Sequence, residues 1–410
     1  MAGTRSFTKR PSTSTSNVPP GRWVQQGTGD AAYHAFLPNP LPPDPPLLID
    51  GPMQQRLEAA SLELGRLDGI GRLLPGPDTL LYSYVRKEAV LSSQIEGTQS
   101  SMTDLLLHEN NAVPGVPIDD VREVSNYVGA LTHGLQLLAT QLPLSLRLIR
   151  EVHRVLVEGA RGSQQTPGEF RRSQNWIGGS GPSNAYFVPP PAHEVMPALD
   201  HLEKFIHDQN HPSLIKAGLV HAQFETIHPF LDGNGRVGRM LITLVLISER
   251  VLSSPWLYMS LHFKRNRSQY YDRLQRVRTH GEWAQWMTFY LEGVAQVARQ
   301  ATRTIQALLR LFEEDRLAVR SSRSGSIYQR VAAQSNMDIY EHIRQRLVVT
   351  IPDTARACGT TKPTVARALA DLEQLGIVKE ITGKQRNRVY AYQKYIDILN
   401  EDIIAPGETV

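Results

Sequence analysis

The stretch "IHPFLDGNGRVGR", residues 227–239, decides how this chain is interpreted. Gly233 and Gly235 permit backbone conformations closed to other residues, so amide groups can point inward as an anion nest where a helix begins. Arg236 and Arg239 lie three positions apart and therefore project from one face of that helix. Two arginines at a helix N-terminus are unfavourable with the helix dipole alone, which indicates an anion between them.

Two more polar residues of this stretch point to phosphate chemistry. Asp232 supplies a hard carboxylate oxygen of the kind that binds Mg²⁺ together with a polyphosphate. His228, at the edge of the loop, is placed to take a proton from an incoming hydroxyl group. Taken singly, such residues more often form a plain turn, a structural histidine or solvated arginines. Together, in this order and spacing, they predict a phosphotransfer or nucleotidyl-transfer site.

The sequence on either side predicts helices. "LIKAGLVHAQFETI" before the loop is apolar on one face, and "VGRMLITLVLISERV" after it is apolar nearly all round, as in the middle of a bundle. Helical patterns also recur from Met53 to about residue 160 and from 192 to 315. They are interrupted at 167–191, where two short runs flank "GGSGPSN", a pattern typical of a hairpin with a glycine-rich tip. The predicted fold is mainly α, a helical bundle with a small β-hairpin flap.

The composition is that of a soluble globular protein. Of its 410 residues 41% are apolar and 20% charged, and the formal net charge of +4 does not demand a nucleic-acid partner. The single cysteine, Cys358, excludes a disulfide within the chain and a cysteine-rich zinc site, and it suits a reducing cytosol. No apolar run approaches the roughly eighteen residues of a membrane span, and the N-terminus lacks the apolar core of a secretory signal. We therefore expect a cytoplasmic protein with no membrane partner.

Composition also predicts how the chain divides into domains. The predicted parts are a flexible Pro/Ser-rich tail at 1–44, an N-terminal helical region at 45–125, a catalytic core at 126–317, a Ser/Arg-rich linker at 318–336 and a small C-terminal domain at 337–400. Among single residues, His153 and His221 are predicted to be structural, and Trp176, Trp283 and Trp286 are predicted to lie in the core.

The C-terminal domain has the pattern of a winged helix-turn-helix. Three short helices and two β-rich runs around a Gly-Lys turn follow one another in about 60 residues. In its third helix the predicted buried stripe is Val365, Leu369 and Leu372, the outward residues are Lys362, Thr364 and Arg367, and the basic residues of the wing are Lys379, Lys384, Arg386 and Arg388. These basic groups suit a DNA partner. A protein-interaction or dimerisation module, and hence a homodimer, is the alternative.

The loop sequence resembles a known family. "HPFLDGNGRVGR" (228–239) matches the HPFx[DE]GNGRxxR signature of Fic-domain proteins without exception. The resemblance extends to "RKEAVLSSQIEGTQSS" (86–101), similar to the family's N-terminal region, and to "PGEFRRSQNWIGG", similar to its target-docking flap. It continues through "YYDRLQRVRTHGEWAQWMTFYLEGV" (270–294), similar to the domain's last helices. About residues 45–300 are covered, and many such proteins carry a winged helix afterwards.

This resemblance implies a protein adenylyltransferase that moves AMP from ATP to a Ser, Thr or Tyr hydroxyl of a target protein, or of itself, and releases pyrophosphate. It implies that His228 is the general base, that Asp232 holds Mg²⁺, and that Asn234 and the amides of 233–235 grip phosphates. Arg236 would neutralise the β-phosphate and Arg239 would hold the γ-phosphate. The full set of nucleotide-binding positions implied is Glu96, Gly233, Asn234, Gly235, Arg236, Val237, Gly238, Arg239 and Tyr271.

A second signature, "SSQIEG", resembles the [ST]xxxE[GN] inhibitory motif of the class with an N-terminal inhibitory helix. Ser92 and Glu96 lie on one helix face, and Gly97 completes the motif. The resemblance implies that Glu96 pairs with Arg239 and takes the place of the γ-phosphate, because a carboxylate resembles a phosphate to an arginine.

Two alternatives to this function remain open at the level of sequence. One is a Fic enzyme that removes AMP or moves a different group, with Glu96 orienting a water molecule. The other is a DNA-binding regulator whose Fic domain senses nucleotides, although a pure sensor has no need of the base His228.

Overall fold

The fold is mostly helical, as predicted. A computed structural model describes residues 19–29, 32–74, 78–110, 115–159, 166–321 and 327–401. The helices are α1 (Gly51–Arg72), α2 (Asp78–Ile95), α3 (Met102–Glu109), α4 (Ile118–Ala139), α5 (Leu146–Leu156), α6 (Val195–Ile206), α7 (Ser213–Ile227), α8 (Asn234–Ser248), α9 (Ser260–Arg265), α10 (Arg267–His280), α11 (Trp283–Ser321), α12 (Ile327–Arg346), α13 (Ile351–Ala357), α14 (Lys362–Gln374) and α15 (Gln393–Asn400). The strands are β1 (Gly21–Gln26), β2 (Tyr33–Pro38), β3 (Val348–Thr350), β4 (Lys379–Glu380) and β5 (Val389–Ala391).

Helices α7 and α8 form the centre of the bundle and carry the site between them. Every residue of α7 from Leu214 to Ile227 is buried, not one face alone as the sequence predicted. Some of its buried polar residues have partners: the ammonium group of Lys216, for example, bonds Glu249 at 2.6 Å. Two helices enclosed on all sides provide a rigid base for the loop that joins them.

The first 44 residues are not uniformly a flexible tail. Strands β1 and β2 pair as an antiparallel hairpin from Gly21 opposite Pro38 to Gln26 opposite Tyr33. The Phe36 amide bonds the Val188 carbonyl at 2.9 Å, so this hairpin rests on the core beside the flap. Composition suggested a tail because the two strands are only six residues long each and show no regular alternation of apolar residues. Residues 1–18 lie outside the described part of the chain.

The flap, residues 167–191, is less regular than the hairpin that the sequence predicted. One isolated antiparallel bridge joins Ile177 to Phe187, and a short 3₁₀ turn, Pro182–Asn184, forms the tip. Trp176 is 39% exposed and is not a core residue, whereas Trp286 is fully buried as predicted. Trp283 packs partly buried against the core.

The linker predicted at 318–336 is mainly helical. Helix α11 extends to Ser321, and the buried side chain of Val319 shows that this last stretch still packs against the core. Helix α12 begins at Ile327, ten residues before the boundary placed at 337. Residues 322–326 lie outside the described residues. A Ser/Arg-rich composition is compatible with a helix when one face is buried, so it misled the prediction here.

The C-terminal part contains α12 to α15 and a three-stranded sheet in the order β3-β5-β4, with β5 antiparallel to both neighbours. Val365, Leu369 and Leu372 of α14 are buried as expected. Lys362 and Arg367 are exposed, and so are the four basic residues of the β4–β5 connection and its flanks. The name winged helix stays a prediction. Among the described helices, none has both the length and the hydropathy that crossing a membrane requires.

Candidate active site

The motif loop, residues 227–239, turns the chain from the end of α7 into the start of α8. His228 ends α7 in the left-handed conformation, with φ of 50°, and its amide bonds the Phe224 carbonyl at 2.9 Å. Gly233 precedes α8 with φ of 76°, a conformation that glycine adopts without strain. The non-helical part of the motif loop, residues 228–233, therefore begins and ends at a residue in the left-handed conformation.

Arg171 of the flap holds the beginning of the motif loop. Its Nη2 donates to the Ile227 carbonyl at 3.3 Å, its Nε donates to the His228 carbonyl at 2.9 Å, and its own amide donates to the Pro229 carbonyl at 2.9 Å. The residue is 3% exposed. Three consecutive carbonyls are thus bound by one residue, which fixes the backbone that carries the His228 ring.

Two asparagines hold the middle of the motif loop. Asn175 Nδ2 donates to the carbonyls of Phe230 and Leu231 at 2.9 and 3.1 Å. The buried side chain of Asn234 bonds both backbone groups of Phe230, accepting from its amide and donating to its carbonyl at 2.8 Å each. The Asn234 side chain therefore shapes the loop. The phosphate contact implied for residue 234 stays a prediction, and the backbone amide of Asn234 would have to make it.

His153 holds the last carbonyl in the first half of the motif loop, residues 227–232. Its Nδ1 accepts from the Gly168 amide at 3.0 Å, so Nε2 carries the proton and donates to the Asp232 carbonyl at 3.1 Å. The ring stacks on Phe230 with centroids 3.7 Å apart. Burial lowers the pKa of His153 to about 4, which keeps this arrangement neutral. The predicted structural role of His153 fits these contacts.

The second half of the motif loop presents donors. Gly235 and Arg236 lie in the first turn of α8, where amides have no carbonyl four residues earlier in the helix, and the first such bond runs from the Val237 amide to the Gly233 carbonyl. A Cβ at residue 235 would collide with the Glu96 carboxylate, so that carboxylate lies directly against this turn. The position behaves as an anion site with a protein anion in it.

Arg239 is the centre of the contact with α2. Its Nη2 donates to Glu96 Oε1 at 2.6 Å, and its Nε donates to Ser92 Oγ at 2.8 Å. Arg239 is fully buried, whereas the Glu96 side chain is 36% exposed. The pairing that the resemblance implied is therefore present, 143 residues apart in the chain.

Glu96 comes just after the end of α2. Gly97 has φ of 103°, and the Thr98 amide bonds back to the Ser93 carbonyl at 3.3 Å, the pattern of a Schellman helix end. A carboxylate at a helix C-terminus is unfavourable with the helix dipole. The guanidinium of Arg239 offsets that cost, so the position of Glu96 depends on this partner.

Arg236 faces a second acidic group. Its Nη1 donates to Glu123 Oε2 at 3.3 Å, and its Nη2 lies 3.6 Å from Asp232 Oδ1. Among the described residues, the buried Nε of Arg236 has no hydrogen-bond partner. Buried donors are nearly always satisfied, so this one is an exception within the site.

The chemistry of Asp232 fits a metal shared with a ligand. Its side chain is 42% exposed, and Oδ1 accepts from the Gly233 amide at 2.6 Å. No cluster of three potential metal ligands occurs among the residues that the structure describes. Mg²⁺ is often held by one carboxylate together with substrate phosphates, which is what a single half-exposed aspartate beside an anion site offers.

His228 is neutral at physiological pH. Burial, and then the guanidinium groups of Arg278 and Arg171, lower its pKa from 6.5 to about 3. The ring lines a cavity of about 250 Å³ together with Glu96, Asp232 and the first turn of α8. A neutral imidazole in the same cavity as an anion site can accept a proton there.

Two tyrosines follow the loop in sequence, and they differ in role. Tyr270 is buried, and its hydroxyl donates to His221 Nε2 at 2.9 Å, since His221 Nδ1 must donate to the Gly238 carbonyl at 2.7 Å. His221 is therefore structural, as predicted. Tyr271 is 38% exposed, and the adenine contact predicted for it stays a prediction. Val237 and Gly238 are buried under the loop, where a Cβ at 238 would collide with Glu225.

Sequence reasoning missed several residues that shape this site. Arg278 donates to the Glu225 carbonyl at 3.0 Å and lies over the Phe187 ring. The other residues that shape the site and were not predicted from sequence are Arg171, Asn175, Glu123 and Glu225. Nothing in the local sequence separates Arg171 from its exposed neighbour Arg172, so only the packing distinguishes them.

Two family models match the chain. Residues 54–136 match the Fic/DOC family N-terminal region, and residues 143–246 match the Fic/DOC family. The chain thus contains a Fic domain, which includes the whole motif loop, preceded by the N-terminal domain that belongs to the same family.

Curated relatives share this part of the chain. Protein adenylyltransferase Fic of Aedes aegypti is 31% identical over 191 residues, and that of Drosophila grimshawi is 31% identical over 189 residues. These alignments cover 44% of this chain but only 34% and 35% of the relatives, so the match spans about a third of their length. Among solved structures, a Fic family protein from Desulfovibrio desulfuricans G20 has the same fold, with a TM-score of 0.55, 17% identity, and coverage of 85% of this chain and 97% of that chain.

Proposed function

We propose that this protein transfers AMP from ATP to a hydroxyl side chain of a protein and releases pyrophosphate. The observation that carries the proposal is the meeting, in one cavity, of a neutral histidine and an anion site. His228 and the first turn of α8 line the same cavity, and the guanidinium of Arg239 lies against that turn. The names of the curated relatives support the same reaction.

The proposed roles follow from the contacts. The amides of the first turn of α8 and the guanidiniums of Arg236 and Arg239 bind the phosphates. His228 takes the proton of the attacking hydroxyl, which bonds to the α-phosphorus as pyrophosphate leaves. Asp232 would hold Mg²⁺, which neutralises phosphate charge when bound.

In the proposed resting state, Glu96 restrains this activity. Its carboxylate lies against the first turn of α8 and accepts a hydrogen bond from the guanidinium of Arg239. The γ-phosphate must therefore displace it. Partial exposure of Glu96 supports such a displacement, because the side chain can leave without unfolding α2. The restraint is a competition between two anions for one arginine.

The test is labelling with ATP that carries the label in the α-phosphate. We expect little labelled protein with the wild type, strong labelling with Glu96→Gly, intermediate labelling with Glu96→Gln, and none with Glu96→Gly combined with His228→Ala. Label from the γ-phosphate instead would indicate a kinase. Equal labelling by wild type and Glu96→Gly would contradict the proposed autoinhibition. No labelling by any variant would contradict the proposed transfer reaction.

AMP removal is a second candidate, because Glu96 lines the cavity that contains His228 and is partly exposed there. In that reaction Glu96 would orient a water molecule. Incubation with AMP-modified protein from the Glu96→Gly reaction distinguishes the two. Release of AMP by the wild type but not by Glu96→Gln supports removal.

For the C-terminal part we propose a DNA contact, since Lys384, Arg386 and Arg388 are all exposed on the β4–β5 connection. A gel shift with the full chain at increasing salt tests it, and the control replaces these three residues with glutamate. The absence of a shift at low salt favours a protein-interaction or homodimer module. Sedimentation of the same sample measures whether the chain is a homodimer. A cytoplasmic location stays a prediction.

A further inference from the structure

We propose that Arg171 is a positioning residue, which sets the place of the His228 ring by joining the flap to the motif loop. The inference rests on the proposed role of His228 as the base. It concerns a residue outside the motif loop and outside the inhibitory helix.

The contacts of Arg171 span three segments. Beyond the carbonyls of Ile227 and His228, Nη1 donates to the Ser173 carbonyl at 3.1 Å and Nη2 donates to the Pro190 carbonyl at 2.6 Å. Ser173 and Pro190 lie near the two ends of the flap. One guanidinium therefore bonds both sides of the flap and the backbone carbonyl of His228, the proposed base.

This arrangement requires arginine. Only a guanidinium presents donors in several fixed directions, whereas the three donors of a lysine share one atom. The hydrogen-bond partners of the Arg171 side chain among the described residues are all backbone carbonyls, and burial lowers its pKa to about 10. A buried cation held by carbonyl dipoles alone is costly. Such a cost is consistent with a role beyond stability.

The nucleotide side of the site is attached differently. Arg236 bonds Glu123 of α4, whereas Arg239 bonds Ser92 of α2 and Glu96 just after it, and neither arginine bonds Arg171 or the flap. A change at residue 171 should therefore move the base and leave the phosphate donors in place. This separation gives the inference a signature that general loss of stability does not share.

The test compares Arg171→Lys with Arg172→Lys, both in the Glu96→Gly background. Arg172 is the neighbouring residue, with 91% of its side chain exposed, and so is a matched control. For Arg171→Lys we expect AMP transfer from α-labelled ATP to slow by about tenfold or more, while the Kd for ATP changes less than about twofold. Arg172→Lys should match its parent in both.

Equal transfer rates for Arg171→Lys and its parent would overturn the inference. So would a slower rate with an equal weakening of ATP binding, since that indicates a damaged domain. If Arg171→Lys is unfolded at the assay temperature, Arg171→Gln replaces it, because the glutamine amide keeps two N–H donors for the carbonyls; slower transfer with normal ATP affinity then supports the inference, and unchanged transfer overturns it. If the Glu96→Gly parent transfers no label, that result contradicts the proposed function and this inference together.

Discussion

The motif loop offers carbonyl groups in its first half, residues 227–232, and amide and guanidinium groups in its second half, residues 233–239. Each of the six carbonyls in the first half accepts a hydrogen bond from Arg171, Asn175, Asn234 or His153. In the second half, Arg236 and Arg239 donate to the carboxylates of Glu123 and Glu96, and Arg239 also donates to Ser92. A chain segment satisfied by permanent donors is a support, whereas one satisfied by side-chain anions can exchange them for a ligand.

The largest effect should come from His228, the proposed base, in the first half. We expect His228→Ala, in the Glu96→Gly background, to slow AMP transfer by about 10²- to 10⁴-fold, the usual contribution of a general base. The Kd for ATP should stay within a factor of about two, since the phosphate donors lie in the other half. Equilibrium binding and initial rates measure the two quantities. Transfer at a rate near that of the parent would contradict the division of roles.

The second half should respond in the opposite way. Arg239→Ala in the same background removes the buried guanidinium proposed to bind the γ-phosphate, and we expect the Kd for ATP to rise by about 100-fold. Titration calorimetry with ATP and Mg²⁺ measures this. Arg250→Lys, an exposed position just beyond the far end of α8, is the control and should bind ATP normally. A rise for ATP without any for ADP would place the γ-phosphate at Arg239.

The buried carboxyl beneath the second half should make stability depend on pH. Burial raises the pKa of Glu225 from 4.5 to about 7, so between these values the folded protein keeps a proton that the unfolded chain has released. This group therefore stabilises the fold at low pH, and the contribution is lost as the pH rises through 7. Compared with Glu225→Gln, the wild type should lose roughly 2 kcal/mol of unfolding free energy between about pH 5 and pH 8.

Urea unfolding at the two pH values measures that difference. Glu158→Gln, at an exposed position, serves as the control and should follow the wild type. A pH dependence in Glu225→Gln equal to that of the wild type would show that the buried carboxyl does not titrate in this range.

The smallest expected effect concerns one bond in the first half. His153→Phe keeps the stacking on Phe230 but leaves the Asp232 carbonyl and the Gly168 amide without their ring partner. We expect a loss of about 1–2 kcal/mol of unfolding free energy in thermal or urea denaturation. His201→Phe, at an exposed site on α6, is the control. No loss of stability would mean that water replaces the ring nitrogens at no cost.

Much of the second half could be predicted from sequence because its geometry is local. Gly233, Gly235, Arg236 and Arg239 are close in sequence at a helix start, so the periodicity of the helix brings them together. The support of the first half could not be predicted. Apart from Asn234, its donors come from residues 55 to 79 positions away, and nothing in "EFRRSQN" indicates which arginine is buried.

The errors have the same origin. Composition assigned a tail to 1–44 and a linker to 318–336, and the structure has a hairpin in the first and helix in most of the second. Trp176 was assigned to the core because tryptophan is usually buried, but it lies on the flap at the edge of the cavity. Burial is decided by neighbours that are distant in sequence, and composition does not contain them.

By itself, the sequence determined the helical class, the glycine-bounded loop and the donors of its second half, because these depend on residues within a few turns of one helix. The pairing of Glu96 with Arg239 followed only from the likeness of "SSQIEG" to a family motif. Tertiary structure alone decided that Arg171, Asn175 and His153 support the loop that carries His228. Those contacts need a flap, a helix end and a loop to be packed together, and packing is a property of the whole fold.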